Sequence, residues 1–449
     1  MAPPTRVIVA QRPSEPLAPA CARLRDWGCE LVECVDQGHA AAALRQGGAD
    51  ILLIDAWLDG SMSLLSAIKA DPRTRHLPVV IATPEEAAPI ASHALALGAD
   101  DVLVPPLEDA ELFARICALS RVAAMEVERR RRESVLRQFG VAPAPETPGV
   151  PATDRLGILL IGPAGGDQIQ VMAALGGAAT AAYAETGESA LERLRRDDLD
   201  VALLTGVADH DDLQRLCAAI RADLALFDLP VLLIARPEAF PDRSLPFDWG
   251  ISDVLFQPFQ PEVLRLRVQG WVRQQRLRRR LRGCRGGGQA PPTTIDGLTR
   301  LYSHGFLHGY LEQLIAQNLR SRTPLAVVGF DVAGMSQINR THGYAAGDRI
   351  LAQLGALLAR SSRAEDLPAR LRDDRFCLII DGASAAEAAS VAERLGGLLA
   401  EVPLPTGGGQ LVRIAMLSGA AELEPGDDAA TLIARAFERL QPTLLRRAS

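Results

Sequence analysis

The chain of 449 residues holds a single lysine, Lys69, among 48 basic residues, the rest being arginine. Composition therefore supplies arginine wherever a cation is needed, and a position that calls for lysine but holds a neutral residue has lost its charge. Aromatic residues are scarce, at 4%, and the formal net charge is -7. A broad nucleic-acid face is thereby disfavoured, because it needs clustered cations with rings between them. Seven cysteines (Cys21, Cys29, Cys34, Cys117, Cys217, Cys284 and Cys377) are scattered without a Cys-x-x-Cys pair. Neither a disulfide framework nor a zinc site is indicated, and they read as small buried apolar residues. No apolar run reaches the roughly 18 residues that a membrane helix needs. The opening Met-Ala-Pro-Pro-Thr-Arg lacks an apolar leader core, so a cytoplasmic protein without membrane insertion is expected.

What the chain does have is apolar content of 48%, enough for several cores and about three domains. From residue 6 to about 138, short apolar runs alternate with helical stretches: Val7-Ile8-Val9, Ile51 to Ile54, Val79-Val80-Ile81 and Val102-Leu103-Val104. Such runs predict α/β domains with a parallel sheet covered on both faces. The pattern recurs 152 residues later, Leu77-Pro78-Val79-Val80 returning as Leu229-Pro230-Val231-Leu232 and Gly98 to Leu103 as Gly250 to Leu255. Two copies of one domain stand in tandem. Pro143, Pro145, Pro148 and Pro151 mark a stiff linker, and Gly283 to Pro292 a flexible joint. The expected segments are a first domain at 1–140, a linker at 141–154, a second domain at 155–283, a linker at 284–294 and a third domain at 295–449. Each linker follows a helix extended by arginines, Arg129 to Arg132 in one and Arg276, Arg278, Arg279 and Arg280 in the other. The second of these, 273–282, reads as a solvated continuation helix, with no DNA-reading module beside it.

In the third segment, Leu367 to Leu371 and Phe376 to Ile380 flank a polar tip, Arg372-Asp373-Asp374-Arg375, which predicts a hairpin. Upstream lie Asp296-Gly297-Leu298-Thr299-Arg300-Leu301, Phe330 to Asn339, Gly343 to Asp348, and Arg363-Ala-Glu-Asp366. In order and spacing these landmarks resemble the diguanylate cyclase (GGDEF) family, whose signature hairpin reads Gly-Gly-Asp/Glu-Glu-Phe. The resemblance implies a nucleotidyl-cyclase-like α+β fold. It places metal ligands at Asp331 and Asp374 and guanine-binding groups at Asn339 and Asp348, a remnant GTP and metal site. It also marks losses: the tip glycines are Arg372 and Asp373, an acid is Arg375, lysines are Ser336 and Leu444, and Asn-Arg-Arg is Ser303-His304-Gly305. The family's inhibitory site for its product, cyclic di-GMP, is kept at Arg363 and Asp366, with Arg394 on the following helix, although Gln317 replaces a secondary arginine. Arginine suits that ligand, since its planar fork donates twice to guanine O6 and N7 or to phosphate. A carboxylate accepts from guanine N1 and N2.

Both α/β copies resemble receiver domains of two-component response regulators, which are flavodoxin-like. A working receiver needs an acidic pair and a phosphoacceptor aspartate around Mg²⁺, with a hydroxyl and a lysine to read the phosphoryl group. In the first copy Asp55 matches the phosphoacceptor and Thr83 the hydroxyl, but the acidic pair is Gln11-Arg12 and the lysine is Pro105. In the second, the corresponding residues are Gly162-Pro163, Thr205, Ala235 and Gln257. None of the lost lysines (Pro105, Gln257, Ser336, Leu444) became arginine, so loss of function explains them and composition does not. The order receiver, receiver, GGDEF, with a spoiled tip and a kept inhibitory motif, resembles the catalytically inactive members of this group of response regulators. That resemblance implies a non-enzymatic cyclic di-GMP effector that requires no cofactor and no Mg²⁺, with its receivers serving as a homodimerisation and docking scaffold. The partners it implies are the adaptor RcdA, the cell-cycle regulator CtrA and the ClpXP protease, at a cell pole. The alternative is a phosphorylation-gated cyclase with an atypical active site.

Overall fold

The computed structural model describes residues 6–14, 17–47, 49–83, 88–103, 109–141, 155–206, 209–223, 225–282, 293–406 and 410–442. Most of the first linker, nearly all of the second, Val104, Pro105, Cys284 and Leu444 lie outside the described residues.

Strands β1 (Arg6–Ala10), β2 (Glu30–Cys34), β3 (Ile51–Asp55), β4 (Val79–Ala82) and β5 (Asp101–Leu103) form a parallel sheet in the order β2-β1-β3-β4-β5. Helices α1 (Ala18–Asp26), α2 (Gln37–Gly47), α3 (Ser61–Ala70), α4 (Ala88–Ala96) and α5 (Asp109–Gln138) alternate with them. Because successive strand side chains point to opposite faces, each apolar run feeds two cores. Ile8, Leu52, Ile54 and Ile81 pack with Ala40, Leu65 and Ala94 of α2, α3 and α4. Val7, Val9, Leu53 and Val80 pack with Leu24 of α1 and Leu112 and Ile116 of α5. This is the flavodoxin-like order.

The second copy repeats it. Strands β6 (Leu156–Ile161), β7 (Ala179–Ala184), β8 (Val201–Thr205), β9 (Val231–Ala235) and β10 (Asp253–Phe256) are parallel in the order β7-β6-β8-β9-β10. Their helices are α6 (Gly166–Leu175), α7 (Gly187–Arg196), α8 (His210–Ala222), α9 (Leu245–Asp248) and α10 (Pro261–Arg282). The 152-residue shift holds at the level of single bonds. Lys69 Nζ donates to Leu77 O at 2.7 Å, and Arg221 Nη1 donates to Leu229 O at 2.8 Å. Arg115 pairs with Asp101, and Arg267 with Asp253. Lysine at one copy and arginine at the other do the same work, closing the carbonyls of a turn.

The third domain is built on an antiparallel sheet, β12-β13-β11-β16-β17, from β11 (Leu325–Ala333), β12 (Leu367–Arg372), β13 (Arg375–Asp381), β16 (Ala415–Glu422) and β17 (Gln441–Pro442). A small hairpin, β14 (Leu404–Pro405) with β15 (Leu411–Val412), stands apart from it. Five helices complete the domain: α11 (His304–Ser321), α12 (Met335–His342), α13 (Tyr344–Ser361), α14 (Ala385–Glu401) and α15 (Ala429–Glu438). Val328, Phe330 and Leu378 face Ile350 and Leu354 of α13 and Leu395 of α14. Val327, Cys377 and Ile379 face Phe306 and Tyr310 of α11 and Leu432 of α15, and Val135 of α5 joins this core. The chain divides into two compact units, one from Met1–Glu126 and Thr147–Leu277, the other from Val127–Glu146 and Arg278–Ser449. The C-terminal ends of α5 and α10 thus belong with the third domain.

Two expectations are corrected. The helical stretch 273–282 is not a solvated arm: Gln274, Gln275, Leu277 and Leu281 are buried, and Arg276 Nη2 donates to Asp200 Oδ2 at 2.7 Å. The predicted four-residue hairpin tip is shorter, because β12 runs through Arg372 and β13 begins at Arg375, leaving Asp373-Asp374 as the turn. Of the cysteines, Cys21, Cys34, Cys217 and Cys377 are buried, and burial pushes the Cys377 thiol up to about 12. Among the described residues, no helix is long and apolar enough to cross a membrane.

Candidate functional site

At the carboxyl edge of the first sheet, Asp55 ends β3, and Thr83 directly follows β4, whose Ala82 pairs with Asp55. The edge is closed by its own chain. Arg12, just after β1, donates Nε to Asp55 Oδ2 at 2.7 Å, and the Trp57 amide donates to Oδ1 at 3.1 Å. Gln11 is engaged too, its Nε2 donating to Glu33 and its Oε1 accepting from the Leu17 amide. The two positions that carry acids in a working receiver therefore hold an amide and a guanidinium, and the guanidinium neutralises the charge that Asp55 would offer to a cation. This donor set does not fit Mg²⁺. Thr83 is buried, and its hydroxyl has no hydrogen-bond partner among the described residues.

In the second copy the same edge holds no phosphoacceptor carboxylate. Thr205 is buried, and a Cβ on Gly162 would lie 2.0 Å from its carbonyl oxygen. Gln257 Nε2 donates to Asp167 Oδ1 at 3.1 Å, and Gln168 Nε2 to Gly162 O at 2.9 Å. Both side-chain amides are thus bonded to the chain itself.

Asp331 and Asp374 meet at one end of β11. Antiparallel pairing sets Asp331 opposite Arg375, and the Val332 amide donates to Asp374 O at 3.2 Å. Arg375 Nε donates to Asp331 Oδ2 at 2.9 Å, with its guanidinium 5.2 Å from the centre of the Phe437 ring. Burial holds the Asp374 carboxyl above its ordinary range, and Asp331 and Asp373 add to the rise. Here again an arginine lies on the carboxylate that would face a metal, so the residues present do not fit the cation. Asn339, on α12, stands against α13 so closely that a Cβ on Gly347 would lie 1.9 Å from its Oδ1, which has no hydrogen-bond partner among the described residues. Asp348, next to that glycine, is exposed.

Backbone shape survives better than side-chain chemistry. Asp373 keeps a left-handed φ of 49° at a tip-glycine position. Arg300 keeps 61° where the family's opening motif has glycine. Asp is among the residues that tolerate this region best. The opening motif's aspartate is fully engaged: Asp296 Oδ1 accepts from the Thr299 amide and hydroxyl at 2.8 and 2.7 Å and from Arg370 Nη1 at 3.1 Å. Of the other altered positions, Ser303 caps α11 through the Phe306 amide, and Ser336 is exposed. Gln317 accepts from Arg131 at 3.4 Å.

The Arg363-x-x-Asp366 motif is a tight turn leading into β12. Asp366 Oδ2 accepts from the Arg363 amide at 2.9 Å, and the Asp366 amide donates back to Arg363 O at 3.3 Å. Asp366 is 6% exposed. Burial pushes its carboxyl up to about 7, Glu365 adding to the rise while Arg363 and Arg132 oppose it. The Arg363 side chain is exposed. It lies near the start of α14, where the Ser384 amide and hydroxyl hold the Glu387 carboxyl low and Arg363 lowers it further. Arg394, also exposed, lies seven residues beyond Glu387 on the same helix, two turns or about 10 Å away on one side. The sequence marks all three residues. What it does not reveal is that Asp366 folds back onto its own turn, or that Arg132, 234 positions earlier, donates to its carbonyl.

Comparison with known proteins agrees with this architecture. Residues 293–445 match the family described as "Diguanylate cyclase, GGDEF domain". The chain is 28% identical over 417 residues to the response regulator PleD of Caulobacter vibrioides, covering 91% of this chain and 90% of PleD. It is 31% identical over 146 residues to the diguanylate cyclase DosC of Escherichia coli, 32% of each chain. The crystal structure of the GGDEF domain of DgcB from Caulobacter crescentus in complex with c-di-GMP aligns at 22% identity with a TM-score of 0.31, over 32% of this chain and 84% of that one. Residues 293–445 therefore match a GGDEF domain, in a chain that along nine-tenths of its length is similar to a response regulator.

Proposed function

We propose that this chain is a non-enzymatic cyclic di-GMP effector. The observation that carries the reading is a contrast between two arginines. Arg375 is spent on Asp331 at 2.9 Å, where a cyclase would need a metal, whereas Arg363 stands exposed on a turn that Asp366 closes. Catalysis on GTP needs the carboxylates free for Mg²⁺. Recognition of the dinucleotide needs a free guanidinium fork for guanine or phosphate, which Arg363 and Arg394 offer. Asp366 then acts first as the brace of the turn, its remaining oxygen being the guanine acceptor.

By resemblance to PopA, a catalytically inactive relative of PleD, the receivers serve as a dimerisation and docking scaffold. The ligand-bound chain then recruits the adaptor RcdA and the regulator CtrA to ClpXP at a cell pole. The rival reading is a phosphorylation-gated cyclase. It is favoured by the match to the cyclase family and by the presence of Asp331, Asp374, Asn339 and Asp348 in the sequence. Calorimetry with cyclic di-GMP on the full chain and on Arg363→Gly, with GTP turnover assayed on the same samples, separates the two. Binding that Arg363→Gly abolishes, without turnover, supports the effector; turnover of GTP, or no binding, overturns it.

A further inference from the structure

The main chain of the ligand turn is held from beneath by arginines of two helix ends. Arg132 of α5 donates Nη2 to Ala364 O at 3.0 Å and to Asp366 O at 2.9 Å, and Nη1 to Leu281 O of α10 at 2.8 Å. Arg282, the last residue of α10, donates Nη2 to Ser362 O at 3.2 Å. With Glu365 O, which accepts from Arg132 Nη2 at 3.4 Å, five carbonyls, four of them in the turn that carries Arg363, thus converge on two guanidinium groups.

Arg132 is 3% exposed, and arginine does not shed its charge. A buried guanidinium is tolerable only when its donors are satisfied. Glu128, one turn earlier, accepts from Arg132 Nε and from the Tyr310 hydroxyl, the latter at 2.6 Å. Arg131 joins Glu128 at 3.1 Å to Asp381 at 2.9 Å. The Tyr302 ring lies 5.5 Å from the Arg132 guanidinium. Because the turn carbonyls are part of this set, moving the helix ends would take acceptors from a buried cation, and reshaping the turn would do the same.

We propose, resting on the effector reading above, that Arg132 and Arg282 are positioning residues for the ligand turn. Occupancy of Arg363 by cyclic di-GMP and the seating of 127–138 and 278–282 are then one coupled equilibrium. Coupling of this kind is reciprocal: whatever loosens the helix ends weakens the ligand, and the ligand tightens the helix ends. Both ends continue without a break into α5 and α10, so ligand occupancy is delivered to the helices that close the two α/β domains.

The test uses the full chain, with cyclic di-GMP calorimetry on wild type, Arg132→Gln and Arg282→Gln, and amide hydrogen exchange of wild type with and without saturating ligand. Binding to wild type should slow exchange in 127–138 and 278–282 as well as around Arg363. Arg132→Gln should weaken binding about tenfold or more by loss of preorganisation, and Arg282→Gln by less. Ligand binding that leaves exchange in both helix ends unchanged overturns the coupling and spares the effector reading, as does Arg132→Gln binding at wild-type strength. Absence of binding by wild type overturns the effector reading, and the coupling with it. Should Arg132→Gln fail to fold, Arg282→Gln and the exchange data on wild type decide alone.

Discussion

At the scale of single residues, Asp366 makes a claim that pH can check. In an unfolded chain an aspartate titrates near about 4, and in the folded turn burial raises Asp366 to about 7. Between those values the folded chain holds a proton that the unfolded chain has released. The associated stability is present in full below about pH 4 and is lost as pH rises through about 7. Asp366→Asn keeps an oxygen to accept the Arg363 amide but carries no charge to desolvate. Its stability relative to wild type should therefore grow from pH 5 to pH 8, by on the order of 2 kcal/mol, in urea unfolding of the full chain. A difference that stays constant across that range would remove the buried charge from the account. The residue identities at this turn are legible in the sequence, but the direction the carboxyl faces is not, because it depends on what lies behind the turn. Conversely, the tip glycine lost at Asp373 leaves the backbone with a positive φ all the same, since the flanking strands β12 and β13 over-determine the turn.

At the scale of elements, the sheets and the hairpin follow from the sequence because apolar runs, period and turn residues all agree locally. The repeat at 152 residues extends to pairs that the sequence pattern does not mark, Lys69 with Arg221 and Arg115 with Arg267, which do equivalent work. The end of α5 is different. Its arginine run reads as a polar extension, yet Glu128, Arg132 and Val135 are buried. Their partners, Tyr310 and the carbonyls at 364–366, lie more than 180 residues along the chain, so no local window contains the reason for burial. The same reason defeats the solvated reading of 273–282. One consequence is that part of the third domain's core comes from before the first linker. Val135, fully buried among Phe306, Tyr310 and Leu314, is the place to ask. Val135→Ala should cost roughly 1–3 kcal/mol by leaving a cavity, and the loss should appear as faster proteolysis or exchange in α11. Destabilisation confined to residues 6–103 would show that the helix end is not part of that core.

At the scale of the whole molecule, one substitution has been made twice. In the first domain Arg12 lies on Asp55, and in the third Arg375 lies on Asp331, each at a carboxylate that the family resemblance assigns to Mg²⁺. A fixed guanidinium repels a divalent cation and neutralises its ligand, and because arginine stays protonated across the accessible pH range, neither site is freed by a change of pH. A chain with one lysine and an excess of arginine provides such cations readily, so the two events need no common history, only the same chemistry. Ligands that bind the folded state raise its melting temperature. Millimolar Mg²⁺ should therefore leave the melting of the full chain where EDTA leaves it, and acetyl phosphate should leave Asp55 unmodified by mass spectrometry. Arg375→Glu, which replaces the fixed cation with a carboxylate beside Asp331 and Asp374, should gain a Mg²⁺-dependent rise that wild type lacks. A rise already present in wild type and abolished by Asp331→Asn would mean that Arg375 yields to the metal. The third domain would then have to be treated as a cyclase whose arginine moves aside.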